Sequence, residues 1–505
     1  MVTVLPSVER AMRRFRLSDH FRLLWIDSIC INQEDNDERA SQIIQMGRIF
    51  SQANRVMIFL GETSKQSDVA MDAICTAQSN PATLKPVAEL FKQHQWFHRL
   101  WVVQEVALAQ HPLVVCGTKC VPWACFTTWW ASNRVEASFV FEPPPTITYN
   151  FDSSRQSSML QQLYETRRSK ATNSVDKIYA LMGLFTPADR DRIIVDYRVS
   201  TGKVYLSAAD AIVDSTQSLQ LLSATVTGAK KERRDPNDLP TWVPDWTVDF
   251  LPVSLGLDNQ FQEPYDACGS PACQVEIKDG ALRAMGIALD TVGECGLSCP
   301  DTAPNLQRVF HSWNILAESH KGNHTSICPS PRHRARHSFS RLSGVQNLTH
   351  SALRYKARQP ADNREIYSRE DFDTIWSVLL ALPTPTLDLP DARMAKTSIL
   401  WASNTQVKHC FGRRLCITST GLQCLAAPKT KPGDIVVILL GAPVPHILMR
   451  KEDGDYSFVG ECYVPEVMGG EALSHLSEQL RPLGHRSRPF RHHMSSATLQ
   501  RFVIK

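Results

Sequence analysis

Residues 24–61 read LWIDSICINQEDNDERASQIIQMGRIFSQANRVMIFLG, an apolar run that enters a carboxylate-rich turn and then an amphipathic stretch. The run from Leu23 to Ile31 is interrupted by Asp27 and predicts a strand. Asp35 to Asp37 supplies turn and N-cap chemistry before Glu38 and Arg39 open a helix over Asp37 to Ala53. Met46, Ile49, Phe50 and Ala53 recur at helical spacing, so they should face the core. Arg55 to Leu60, closed by Gly61, reads as a second strand. Two parallel strands joined by one crossover helix bury all three apolar surfaces, so a βαβ unit is expected here.

The same residues resemble the fungal heterokaryon incompatibility (HET) domain, whose hallmark is a WID-x-x-CINQ strand followed by an ER pair, a helical methionine and a strand ending LG. Here those positions are Trp25, Ile26, Asp27, Cys30, Ile31, Asn32, Gln33, Glu38, Arg39, Met46, Leu60 and Gly61. Residues 96–105, WFHRLWVVQE, resemble the family's WF-x-R-x-W-x-x-QE segment and contribute Arg99, Trp101, Gln104 and Glu105. Residues 176–184, DKIYALMGL, resemble its DK-x-YALLGL segment with Asp176, Lys177, Tyr179 and Gly183, and residues 242–246 are similar to the WVPDW that often follows. Relative to the family pattern, an initial strand and loop reading YxALSYxWG is missing, and the chain starts at the helix after it, with Ser7 as N-cap and Val8, Ala11, Met12 and Phe15 on one face. The resemblance implies an α/β fold, a TIR-like parallel sheet with flanking helices over residues 1–185.

At 505 residues, with 43% apolar and 21% charged residues, the composition is that of a soluble globular protein of several domains. A net charge of +4 is too mild to argue for nucleic acid. The N-terminus has no apolar leader, and no stretch approaches the ~18 apolar residues of a membrane span. The expected location is the cytoplasm. Fourteen cysteines spread through so long a chain are expected to be reduced.

Beyond the first domain, residues 66–78 predict a helix with Val69, Ala73 and Ala77 inward, and three prolines at 143–145 predict a surface loop. Residues 186–253 read as a helical connector ending in WVPDW. Residues 254–472 change character: short strand-like runs at 274–277, 281–287, 415–418, 435–440, 447–449 and 456–459 are separated by Gly, Pro and Asp turns. They predict a β-rich C-terminal region assembled from two distant pieces. Between the pieces, residues 319–370 read as a basic, disordered insertion, and 473–505 as a basic, solvated tail.

Trp101 and Glu105 lie four apart, on one face of a helix. HET domains have been considered distantly similar to TIR domains, and NAD-cleaving TIR domains carry a catalytic glutamate, in some within W-x-x-x-E. The resemblance places that glutamate at Glu105, where a carboxylate would stabilise the charge that develops on the ribose as nicotinamide leaves. The alternative is that Trp101 packs in the core while Glu105 caps or pairs with an arginine such as Arg99. An acidic residue inside an apolar strand is paired or functional. Asp27 therefore lines a pocket with Cys30, Asn32 and Gln33 at the carboxyl end of the sheet, or pairs with Arg39 or another buried cation while the polar turn serves the next helix. Cys30 as nucleophile stands against Cys30 as a buried structural thiol. Cys116, Cys120 and Cys125, or His320, His324 and Cys328, lack the paired spacing of zinc sites, so no metal and no resident cofactor is expected. Phosphate-loop and hydrolase-elbow motifs are absent too.

The function implied by the resemblance is fungal non-self recognition leading to programmed cell death. Its expected partners are proteins of an incompatible or self-associating allele, including further copies of this chain. An NAD-cleaving activity through Glu105, with NAD as substrate only, is the second reading, and an inactive paralogue is a third.

Overall fold

The computed structural model describes residues 4–77, 80–138, 140–149, 157–225, 239–248, 253–257, 265–269, 273–299, 306–320, 410–473 and 498–505. The chain forms two compact units, Met1–Ala211 with 246–249, and 212–245 with 250–505. Most of the predicted basic insertion, residues 321–370, and of the predicted tail, residues 474–497, lies outside the described residues.

In the first unit, helix α1 (Pro6–Phe15) precedes a stretch that belongs to no helix or strand and a single helical turn, α2 (Asp27–Cys30). The strand expected over Leu23 to Ile31 is therefore not formed. The amides of Ile29 and Cys30 fold back onto the Ile26 carbonyl, and the Asp27 carboxylate accepts from the Ser28 amide at 2.7 Å. An Asp-Ser pair bonded to its own backbone competes with a sheet ladder. Phe21 and Leu23, which a central strand would bury, are fully exposed.

Helix α3 (Asn36–Gln52) does form, with the Asp35 carboxylate capping the Asp37 and Glu38 amides and both acids in its first turn. Ile43, Met46 and Phe50 are buried on its inner face, with Ile49 half-buried beside them. The chain leaves the helix into β1 (Val56–Gly61), whose alternate residues Val56, Ile58 and Leu60 point inward. Helix α4 (Lys65–Cys75) opens with a reciprocal Ser64/Ser67 capping box. It buries Ala70, Met71, Ala73 and Ile74, and leaves Val69 exposed, one position off the predicted face. Helix α5 (Pro81–Gln93) and α6 (Trp101–Ala107) lead into β2 (Pro112–Cys116), β3 (Lys119–Pro122) and α7 (Trp123–Ser138).

The parallel partner of β1 is thus β2, with Val56 opposite Pro112, and β3 pairs antiparallel with β2. The sheet of this unit has three strands in the order β1-β2-β3 and is mixed rather than wholly parallel. Sequence periodicity identified β1 and α3 but assigned β1 the wrong neighbour.

The second unit is built around a β-sheet. Strands β4 (Val275–Lys278) and β5 (Ala281–Ser298) form a hairpin, followed by β6 (Arg414–Thr418), β7 (Gln423–Ala426), β8 (Ile435–Leu439), β9 (His446–Arg450), β10 (Tyr456–Glu461) and β11 (Gln500–Ile504). The long β5 pairs in turn with β11, β8 and β6. Since β8, β9, β10 and β11 are neighbours in that order, the sheet closes on itself and leaves no edge around this ring. Gly286 lies where β5 is flanked by both β8 and β11, and a Cβ there would sit 2.4 Å from the Ile438 carbonyl oxygen. Phe502 and Ile504 of β11 are buried, so the last residues form a strand of the ring. A buried ion pair joins Arg413 to Glu461 at 2.5 Å, and Glu461 also accepts the Leu255 amide. Trp242 donates its indole N–H to the Gly280 carbonyl.

Candidate functional site

Helix α6 buries Val102, Val103, Gln104 and Val106, which leaves Trp101 and Glu105 together at the edge of the core. The carboxyl of Glu105 is enclosed, although the residue keeps some exposed surface. Burial pushes it up to about 7, against the attraction of Arg99. The Asp27 carboxylate raises it further, and a hydrogen bond from the Trp96 side chain lowers it. Glu105 is therefore a carboxyl that gains and loses a proton near neutrality.

Asp27 lies within electrostatic reach of Glu105 from the exposed start of α2. It does not pair with Arg39. Asn32 and Gln33 belong to the exposed turn that follows: the Asn32 amide donates to Glu38 Oε1 at 3.0 Å, and Gln33 Nε2 donates to the Asp27 carbonyl at 3.3 Å. Their polar groups serve the turn, and Ile31, buried between them and α2, anchors it. Cys30 is exposed, so it is not a buried structural thiol.

A second constellation joins three of the motif segments. Asp176 accepts from Trp101 Nε1 at 3.2 Å and from the Tyr197 hydroxyl at 2.7 Å. Arg39, from the start of α3, lays its guanidinium 3.7 Å from the centroid of the Tyr197 ring. Burial raises the Asp176 carboxyl while its two hydrogen bonds and the Arg39 charge pull it down. Tyr179 packs edge-on against Tyr197, and its hydroxyl accepts the Asp196 amide at 3.2 Å. Lys177 is buried with its ammonium on the carbonyls of Arg167 and Ser169. Tyr197 was not visible in the sequence as a site residue, since it follows the last motif and touches it only through the fold.

The remaining motif residues pack. Trp25 meets Phe50 edge-on. Gly61 adopts a φ of +109°, a backbone conformation that L side chains rarely take, and its carbonyl accepts the Gly117 amide. Gln104 is fully buried with Oε1 accepting the Gly183 amide at 3.1 Å, and its Nε2 has no partner among the described residues. Among the described residues no group of three His, Cys, Asp or Glu side chains could hold a metal ion. Chemically, Asp176 holds one donor on each carboxylate oxygen and acts as a structural hub. Glu105 is the group with a proton to exchange.

Residues 1–105 match the model of the heterokaryon incompatibility protein (HET) family, and residues 396–479 match the Het-6 beta-barrel domain. The chain is similar to heterokaryon incompatibility (HET) proteins in these two stretches. It is 24% identical to heterokaryon incompatibility protein 6, OR allele, of Neurospora crassa, over 89% of this chain and 81% of that protein. No solved structure matches. The HET match ends at Glu105, yet β2, Asp176 and Tyr197, which complete its sheet and its polar hub, lie beyond it. Likewise β5 and β11, which close the ring of the barrel domain, lie outside the barrel match. No helix of the described residues is long and apolar enough to cross a membrane.

Proposed function

We propose that this protein acts in fungal heterokaryon incompatibility as a cytoplasmic signalling module, in which association of its HET domain with a protein partner or a second copy triggers cell death. The observation that carries this reading is the hub at Asp176. Arg39, Trp101 and Asp176, from three separate motif segments, are spent on holding one another and Tyr197 in place. Motif residues used in this way preserve the shape of a surface rather than a reaction centre. The likeness to the Neurospora protein, which runs through both units, supports the same assignment.

A second reading rests on Glu105. A carboxyl titrating near 7, beside Asp27 and Arg99, has the character of a group that could stabilise positive charge during glycosidic cleavage of NAD. Only the ionised form serves that role, so such an activity would rise with pH through about 7.

One experiment separates the two. The chain is expressed in a fungal host from an inducible promoter, and growth, viability and cellular NAD are followed. Signalling by assembly predicts growth arrest that persists in Glu105→Gln with NAD unchanged, and that is lost in Trp25→Ala and Gly61→Asp. Arrest accompanied by NAD depletion and abolished in a folded Glu105→Gln protein would establish the enzyme instead. No arrest from the wild-type chain in a host known to respond to HET-domain expression would reject the cell-death reading.

A further inference from the structure

The second unit contains a run of thiols that the proposed function does not use. Cys295 on β5 stands opposite Cys416 on β6 in the antiparallel register, and Cys416 stands opposite Cys424 on β7. The Sγ atoms of Cys295 and Cys416 are 3.2 Å apart. Cys416 also hydrogen-bonds with the Cys424 thiol, which in turn meets Cys462. Cys416, Cys424 and Cys462 are buried, while Cys295 keeps part of its surface open. Directly opposed residues of an antiparallel pair have Cα atoms about 4.5–5.5 Å apart, within the span a disulfide takes, about 4.4–6.8 Å.

We propose that Cys295 and Cys416 form an oxidative modification site, at which a hydroperoxide converts the two thiols into a cross-strand disulfide. Cys295 reacts first, because it is the one with an open face. Its deprotonated sulfur attacks the distal peroxide oxygen, the O–O bond breaks, and the departing oxygen leaves as water or an alcohol after taking a proton. The sulfenic acid left on Cys295 is then attacked by the Cys416 sulfur: the S–O bond breaks, the S–S bond forms, and water leaves. The two thiols lose two electrons and the peroxide gains them.

The neighbourhood sets the rate. The hydrogen bond with Cys416 and burial push the Cys295 thiol well above its ordinary range, with Arg414 opposing, so at neutral pH it is almost wholly protonated. Since the thiolate is the reactive form, oxidation is slow near pH 7 and accelerates with each pH unit. The product joins β5 to β6 and turns the long segment between them into a covalent loop.

The test is a peptide map of the full-length, reduced protein after exposure to hydrogen peroxide at pH 7, 8 and 9, followed by denaturation, alkylation and tryptic digestion without reductant. The expected result is a cross-link between the peptides spanning 284–308 and 415–429, located by fragmentation at Cys295 and Cys416, with a rate rising about tenfold per pH unit. In a folded Cys416→Ser protein the cross-link disappears and Cys295 is trapped as the sulfenic acid by dimedone. Full alkylation of both cysteines after peroxide, or a disulfide between Cys416 and Cys424 instead, would overturn the assignment.

Discussion

Gly47 on α3 and Gly183 in the turn after Tyr179 meet backbone to backbone: a Cβ on Gly183 would lie 2.8 Å from the Gly47 Cα and 2.6 Å from Gln104 Oε1. The contact lets the helix, the turn and the Gln104 side chain occupy one layer. Gly183→Ala is expected to destabilise the first unit by about 1–3 kcal/mol, the usual range for overpacking a filled core. Chemical denaturation of purified protein checks it, and an unchanged midpoint would show that the three segments have room to move apart.

Removing the hub should cost more than removing one spoke. Asp176→Ala leaves the Trp101 indole N–H and the Tyr197 hydroxyl unpaired, whereas Tyr197→Phe deletes one donor and keeps the ring beneath Arg39. A loss of about 1.5–3 kcal/mol is expected for Asp176→Ala and about half that for Tyr197→Phe. Equal losses would mean that the Trp101 bond contributes nothing measurable.

Glu105 gives stability a pH dependence whose sign follows from its position. Its carboxyl is raised in the folded state, so the folded protein keeps a proton that the unfolded chain releases above about 4.5. The stabilising contribution is complete below that pH and is lost as pH rises through about 7. Wild-type protein should therefore lose up to about 3 kcal/mol from this group between those limits. Glu105→Gln should flatten that part of the profile, as measured by denaturation at pH 4.5, 6 and 8.

In the second unit, Arg413 and Glu461 are both nearly inaccessible, and Glu461 is also bonded to the Leu255 amide. Glu461→Ala strands a buried guanidinium and is expected to cost about 3–5 kcal/mol. Replacing both, as Arg413→Met with Glu461→Leu, should recover much of that loss, and a double mutant no more stable than Glu461→Ala would contradict the desolvation argument.

Much of this architecture was legible where local chemistry and tertiary packing agree. The Asp35 cap and the Met46/Phe50 stripe announce α3, and short strand-like runs between Gly, Pro and Asp turns announce β6, β8, β9 and β10. Residues 23–31 misled because an apolar composition outweighed Asp27 and Ser28, whose side chains favour a turn. Strand β5 was seen only as far as Ile287: Asp290, Gly293, Glu294 and Gly296 interrupt the pattern, and the register shifts there. Strand β11 is masked in the sequence by the basic residues before it, although Phe502 and Ile504 are buried in alternation with the less buried Arg501 and Val503 as a half-buried strand's residues are. The candidate site was legible residue by residue but not as a set. Trp101 and Asp176 meet across distant segments, and their shared partner Tyr197 carries no local signal.

The closure of the ring by β11 sets an order of events during synthesis. Gln500 to Ile504 pair with Gly286 to Leu282, so one side of the ring waits for residues made long after β5 has left the ribosome. The first unit is drawn from residues up to 249, so all of it is synthesised while the ring is still open. In that interval β5 offers an unpaired edge along Leu282 to Gly286, so a nascent chain stalled before residue 500 presents a sheet open to pairing with another chain.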